Sequence, residues 1–369
     1  MDLANNIQNI NNPVLLDYLN TKILTNDPFK KPFVENYKYA QLNKHINIDF
    51  KASTFEIPKS LLDISFEISS QPHPEVDLLE TIQNWNFNNS DSIFRVGSLV
   101  NRKSIQINLD NFKENILLLD LNKIQNNIQI EASPSSSKVL IIYNANRNQE
   151  VPQSIFINSS KQSNLEIVHF DLSNKKSFLY FQSILETGSS LNFTTIQYFN
   201  NHTRNEFYAS LDSECNFSLH GLNFDNKGLN DNYSFIQHLK PSSSSREIFK
   251  SIISDGAITN FQGKIYVDAI AQKTDGYQMS RSLLLDSRSR ANNKPELEIY
   301  ADDVKCSHGS TVSKINQDQL YYFNSRGINT EIAKIILKKA FLMEVLNSIR
   351  DTQVKELSIN LIDSLLNGH

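Results

Sequence analysis

Cysteine is nearly absent from this chain: its 369 residues contain two, Cys215 and Cys306. Two thiols close at most one bridge, which excludes a disulfide-stapled scaffold. Glycine is also scarce, at ten residues, and none falls in a Gly-x-x-x-x-Gly-Lys-Ser/Thr loop. The polypeptide is therefore not itself a P-loop nucleotide hydrolase, and no nucleotide is expected on it. A Gly-x-Ser-x-Gly elbow, a His-Glu-x-x-His pair and a Cys-x-x-Cys pair are missing as well. Nor is there an excess of positive charge, since 36 Lys and Arg stand against 40 Asp and Glu for a net charge of -4. Nucleic acids and anionic membranes call for concentrated basic surfaces, so neither is an expected partner. No run approaches the ~20 apolar residues of a membrane span. The start, Met1-Asp2-Leu3-Ala4-Asn5-Asn6, has neither the basic residues nor the apolar stretch of a secretory signal. The expectation is a soluble, cytoplasmic protein.

What is present is apolar content in short pieces: 39% hydrophobic residues, with 22 Phe, enough for one large or two ordinary domains. A first region, 1–90, reads as helical. Val14, Leu15, Leu16, Leu19, Ile23 and Leu24 have helical spacing between Pro13, Pro28 and Pro32, and Leu78, Leu79, Ile82 and the lone Trp85 follow. A second region, 91–312, reads as strands. Ser104–Leu109, Leu165–Val168 and Leu191–Ile196 alternate, whereas Ile116–Leu119 and Val139–Tyr143 are apolar throughout, and Asn, Ser and Asp clusters separate them. Leu191-Asn192-Phe193 recurs as Cys215-Asn216-Phe217, a displacement of ~24 residues that suits one coil of a parallel β-helix. A β-sandwich or jelly roll gives similar alternation. Cys215 occupies an apolar-facing position and reads as a buried thiol, while His220 and His238 read as surface or satisfied core residues.

The third region, 313–369, returns to helical periodicity. Asn316 and Gln319 resemble a capping box, Gly327 stands where a helix would end, and Asn329 can cap the next helix. That helix sets Ile332, Ile335, Ile336, Leu342, Met343 and Leu346 on one stripe, which serves docking onto the β-core, binding of a partner, or both in parts.

Cys306 and His308 carry the chemistry. Two apart on a strand, they share a face, and a thiolate beside an imidazole suits iron or zinc rather than magnesium or calcium. A metal site needs about four ligands, so the pair alone falls short. The surrounding string Lys294-Pro295-Glu296-Leu297-Glu298-Ile299-Tyr300-Ala301-Asp302-Asp303-Val304-Lys305-Cys306-Ser307-His308-Gly309 resembles the signature of the SufD family, a subunit of the SUF iron-sulfur cluster assembly complex. Phe261–Val267, Gln272–Asp275, Leu283–Leu285 and Leu320–Ile328 are similar in order, and Glu35–Tyr39 is similar to an N-terminal element of that family.

The resemblance implies a mainly β fold, with a right-handed parallel β-helix core between an N-terminal helical part and a C-terminal helical domain. It implies a non-catalytic scaffold that pairs with a SufB-like chain through the C-terminal end of the β-helix and binds a SufC-like ABC ATPase through the terminal helices. Tyr321, Arg326, Ile332, Ile335, Ile336 and Leu342 are its expected ATPase-contact residues. The cargo is a nascent iron-sulfur cluster shared with the partner, held by His308 and, in second place, Cys306, whose alternative role is a structural thiol. A homodimer is expected when the partner is absent. The SufB paralogue is the nearest alternative, but it tends to carry a cysteine after the Leu-Phe-Tyr element, where this chain has Phe323. SufD relatives often have a cysteine after the proline of Pro241-Ser242-Ser243-Ser244-Ser245, which this chain lacks. A β-helix enzyme acting on polysaccharide through Asp302, Asp303, Lys305 and His308 is a different class of reading, although adjacent Asp302 and Asp303 face opposite sides of a strand. A zinc protein using Cys306 and His308 is a third.

Overall fold

The structure, a computed structural model, describes residues 59–77, 103–145, 153–172, 176–199 and 202–367. The helices expected over about 9–44, the Glu35–Tyr39 element and the 78–85 segment with Trp85 lie outside the described residues.

Continuously apolar strands need cover on both faces, which parallel sheets provide. Ile116–Asp120, Ser137–Asn144 and Asn164–Asp171 pair in parallel, with Leu117 beside Leu140 and Leu140 beside Ile167. From Lys103–Asn108 onward successive strands alternate between two nine-stranded sheets, and each lies beside the strand one coil on. Such stacking is a parallel β-helix, and it removes the sandwich alternative. Within the first 90 residues the described elements are a short helix, α1 (Lys59–Ile64), and two short strands. Of these strands, Phe66–Glu67 pairs in parallel with Leu117 and Leu118, and Glu75–Asp77 pairs antiparallel with Lys103–Ile105. The one-coil repeat differs from the sequence motif: Leu191 lies beside Phe217, not Cys215, so the coil is two residues longer than Leu-Asn-Phe suggests.

Inward side chains form the core. Phe181 and Phe207 stack at 5.3 Å, Phe193 meets both edge-on, and Phe249 and Phe261 lie 4.6 Å apart. Burying each such ring contributes about 1.5–3 kcal/mol. Cys215 is fully buried among them, as its pattern implied, and burial pushes its thiol up. His238 is a satisfied core residue, with both ring nitrogens bonded to Ser243 and Ser245. Gly221 lies under the face of Phe249, where a Cβ would collide with the ring. Gly221→Ala is expected to cost about 1–3 kcal/mol of stability, as overpacking does, read as a lower midpoint in denaturant unfolding.

One corner of the coil repeats with a left-handed residue: Ser135, Gln162, Gly188, Glu214, Ser242 and Lys273 all have φ between 57° and 73°. Each donates its N–H to a carbonyl of the next coil, in the last case that of Asp303. Asp303 in turn donates its N–H to Gln272 Oε1 at 2.9 Å. Asp303 thus completes the corner ladder, the turn role open to one of the paired aspartates.

After the last strand come α2 (Gln317–Ser325), α3 (Thr330–Leu346) and α4 (Thr352–Asn367). Asn316 and Asn329 cap α2 and α3 by accepting from Asp318 and Ile332 N–H, and Gly327 takes φ 84° just past α2. Leu342, Val345 and Leu346 of α3 and Val354, Ile362 and Leu366 of α4 pack on the outer face of one sheet, against Ile141, Val168, Ile196, Leu222 and Ile248. Two polar anchors hold them there. Glu166 accepts from the N–H groups of Arg350 and Asp351 at 2.7 and 2.9 Å, and Lys250 bonds the Phe341 carbonyl and Glu344. No described helix is long and apolar enough to cross a membrane.

Candidate functional site

The coils end on two edge strands, Arg290–Ile299 in one sheet and Lys305–Lys314 in the other. A parallel ladder turns alternate residues toward opposite neighbours. Arg290 and Tyr300 donate their N–H groups to Ala257 and Val267, so Pro295, of opposite parity, faces the free edge, where its missing N–H leaves a gap. Lys305 donates to Thr274, so Cys306, His308, Ser310 and Val312 turn their N–H groups to the free edge without interruption. No other strand pairs there among the described residues, and the strand is largely exposed.

Cys306 and His308 share the inward face, as their spacing requires. Cys306 continues the column above Gly276, and His308 the column above Gln278 and Glu247. The two residues differ in surroundings. Cys306 is half-buried and packs, together with Leu297 and Val304, against the cluster of Ile265, Val267, Ala271 and Ala301, and its Sγ lies 3.2 Å from where Gly276 would carry a Cβ. Burial pushes its thiol up, with Asp275 adding in the same direction, and with no metal bound it packs as a small apolar side chain. His308 is exposed to solvent. An imidazole there can offer a ring nitrogen to a soft metal. Among the described residues no three His, Cys, Asp or Glu side chains come together as a metal site, so any ligand set built on His308 needs groups from elsewhere.

Behind His308 lies what sequence reading missed. Gln278 and Glu247 are fully buried, with Gln278 Nε2 donating to Glu247 Oε2 at 2.5 Å. Burial lifts the Glu247 carboxyl to about 7, with Ser234 and Gln278 opposing the rise. Neither belongs to a recognisable motif; only their register beside His308 brings them out.

The residues expected to meet an ATPase separate into two groups. Tyr321 is 76% exposed, Ile332 50% and Ile336 38%, and Ile335 is half-buried. Arg326 stacks on Tyr322, itself exposed, at 5.4 Å. Leu342 does not join them: it is fully buried against the chain's own sheet, so it docks the helix and has no face for a partner. The periodicity marks one stripe, but it is fully buried only at Leu342 and Leu346 in its C-terminal part, while Ile335 packs partly against the same core. Asp302 and Asp303 sit in the bend before the strand, and Lys305, three residues from His308, faces the opposite side. A groove of about 400 Å³ on the sheet surface is lined by Phe235, Lys264, Tyr266, Asp268, Ala269, Glu298 and Tyr300, where Lys264 pairs with Glu298.

A family model described as SUF system FeS cluster assembly, SufBD core domain, matches residues 117–341. The iron-sulfur cluster assembly protein SufD of Escherichia coli is 40% identical over 138 residues, 37% of this chain and 33% of that protein. A SufBD family protein of Synechocystis is 40% identical over 121 residues, 33% of this chain and 27% of its own length. Protein ABCI7, chloroplastic, of Arabidopsis thaliana is 41% identical over 128 residues, 34% of this chain and 27% of its own length. The matched segment thus spans a third or less of each of these relatives.

Proposed function

The chain belongs to the SufBD family of iron-sulfur cluster assembly proteins, and from that membership we propose that it is a SufD-type scaffold subunit. It pairs with a SufB-like chain at the open end of the β-helix and holds a nascent iron-sulfur cluster, as cargo, between the two. The observation that carries this reading is the uninterrupted free edge of Lys305–Lys314 beside an exposed His308 that lacks companion ligands. A partner strand added along that edge satisfies its N–H and C=O groups and brings a second chain's donors to the imidazole. The gap at Pro295 disfavours the other edge. Without the partner, the same edge takes a second copy of the chain.

Chain-to-chain ligation also fits the scarcity of thiols, because two cysteines cannot hold a cluster by four thiolates. On this reading His308 is the first ligand this chain contributes, Cys306 on the same face is the second, and the partner supplies further thiolate. ATP hydrolysis lies in a SufC-like ATPase, which meets the exposed surface of Tyr321, Arg326, Ile332 and Ile336, with half-buried Ile335 at its margin. No catalytic step is assigned to this chain, and a cytoplasmic location is part of the same reading. Co-expression of the tagged chain with SufB-like and SufC-like proteins tests it: the reading expects a stable mixed complex of defined mass, and a chain that purifies alone contradicts it.

A further inference from the structure

We propose that Gln278 is a positioning residue for His308: when a second chain covers the open end, the Gln278 side-chain carbonyl accepts a hydrogen bond from one imidazole nitrogen and leaves the other free for iron. The inference rests on the scaffold reading above.

Gln278 is the ladder partner of His308, so the two side chains leave the same face one strand spacing apart, about 4.8 Å. The Gln278 side chain is fully buried, and its Oε1 has no hydrogen-bond partner although its Nε2 donates to Glu247. Glu247 thereby fixes the sense of the amide. As a carboxylate Glu247 only accepts, so it takes the NH₂ end and the carbonyl is the end left to accept. Space for this arrangement is reserved across the coil by Gly263, where any Cβ would collide with Gln278 Nε2.

Two deficits then cancel. A buried amide oxygen without a partner costs free energy. A histidine that ligates a metal out of water needs an acceptor for its other ring N–H, which fixes its tautomer and orientation. On the free chain His308 is exposed to solvent; covering the end removes that solvent, and the unpartnered Oε1 of its ladder partner Gln278 is the acceptor this chain offers.

The test measures ferrous iron affinity of the co-purified complex, by chelator competition, for wild type, Gln278→Met, His308→Ala and the double variant. Gln278→Met is expected to weaken iron binding about ten-fold, the usual scale for a lost outer hydrogen bond, and to add nothing in the His308→Ala background. A merely structural role would instead multiply the two losses. If Gln278→Met alone prevents folding, Glu247→Leu with Gln278→Met removes both members of the buried pair and takes its place in the cycle. An affinity within two-fold of wild type for Gln278→Met, or losses that multiply in the double variant, overturns the inference while leaving the scaffold reading intact. A His308→Ala complex that binds iron like wild type overturns the scaffold role of His308, and the inference with it.

Discussion

Ser310→Pro is expected to abolish pairing with the partner chain while leaving this chain folded. Ser310 lies at the middle of the free edge of Lys305–Lys314, exposed, with its N–H turned away from the neighbouring strand. Proline removes that donor and places ring carbons in the path of an added strand, yet breaks no bond within the chain, as Pro295 already demonstrates on the companion edge. A SufB-like partner held by strand addition should then be lost from pull-downs, by a hundred-fold or more in affinity, with an unchanged circular dichroism spectrum. A matched substitution at an inward-bonding position, Thr311→Pro, is expected to disturb the last coil itself. Retention of the partner by a folded Ser310→Pro chain would mean that the edge is not the contact.

Glu166→Ala is expected to release the C-terminal helices from the β-helix. Its carboxylate is buried, accepts from the backbone of Arg350 and Asp351 between α3 and α4, and takes a third bond from Asn192 at 2.8 Å. Hydrogen bonds to a charged group are worth about 1.5–3 kcal/mol each, and the abandoned N–H groups add a desolvation penalty, so a loss of about 3–5 kcal/mol is expected, concentrated in the helices. Hydrogen exchange should report it as lost protection over Leu342–Leu366 with the coils unaffected. Because the exposed residues of α2 and α3 form the proposed ATPase surface, ATPase binding should fall with it. Glu166→Gln keeps one acceptor and should be intermediate. Unchanged protection in Glu166→Ala would transfer the docking to the apolar contacts and Lys250 alone.

The strands were legible because short continuously apolar runs have few other uses, and the resemblance of the Lys294–Gly309 string placed His308 at the end of the core. Coil length was not legible. Coils vary, with 26 residues from Ser189 to Cys215 and 31 from Glu247 to Gln278, so vertical neighbours such as Gln278 and His308 have no fixed spacing to search for. The corners left no glycine signal either, since Ser135, Gln162, Glu214, Ser242 and Lys273 adopt the left-handed conformation that glycine would advertise. On α3 the helical period defined the apolar stripe correctly, yet only the extent of the sheet beneath it decides that Leu342 is interior and Ile332 is surface. Cys306 and His308, paired by spacing, differ in what flanks each: apolar neighbours around the thiol and open solvent around the imidazole.

The most direct measurement is the iron and sulfide content per complex, after co-purification with the SufB-like and SufC-like proteins, for wild type and His308→Ala. The predicted result is an intact complex of unchanged subunit composition in which His308→Ala has lost nearly all iron and sulfide. A His308→Ala complex that carries as much iron and sulfide as wild type would contradict the account.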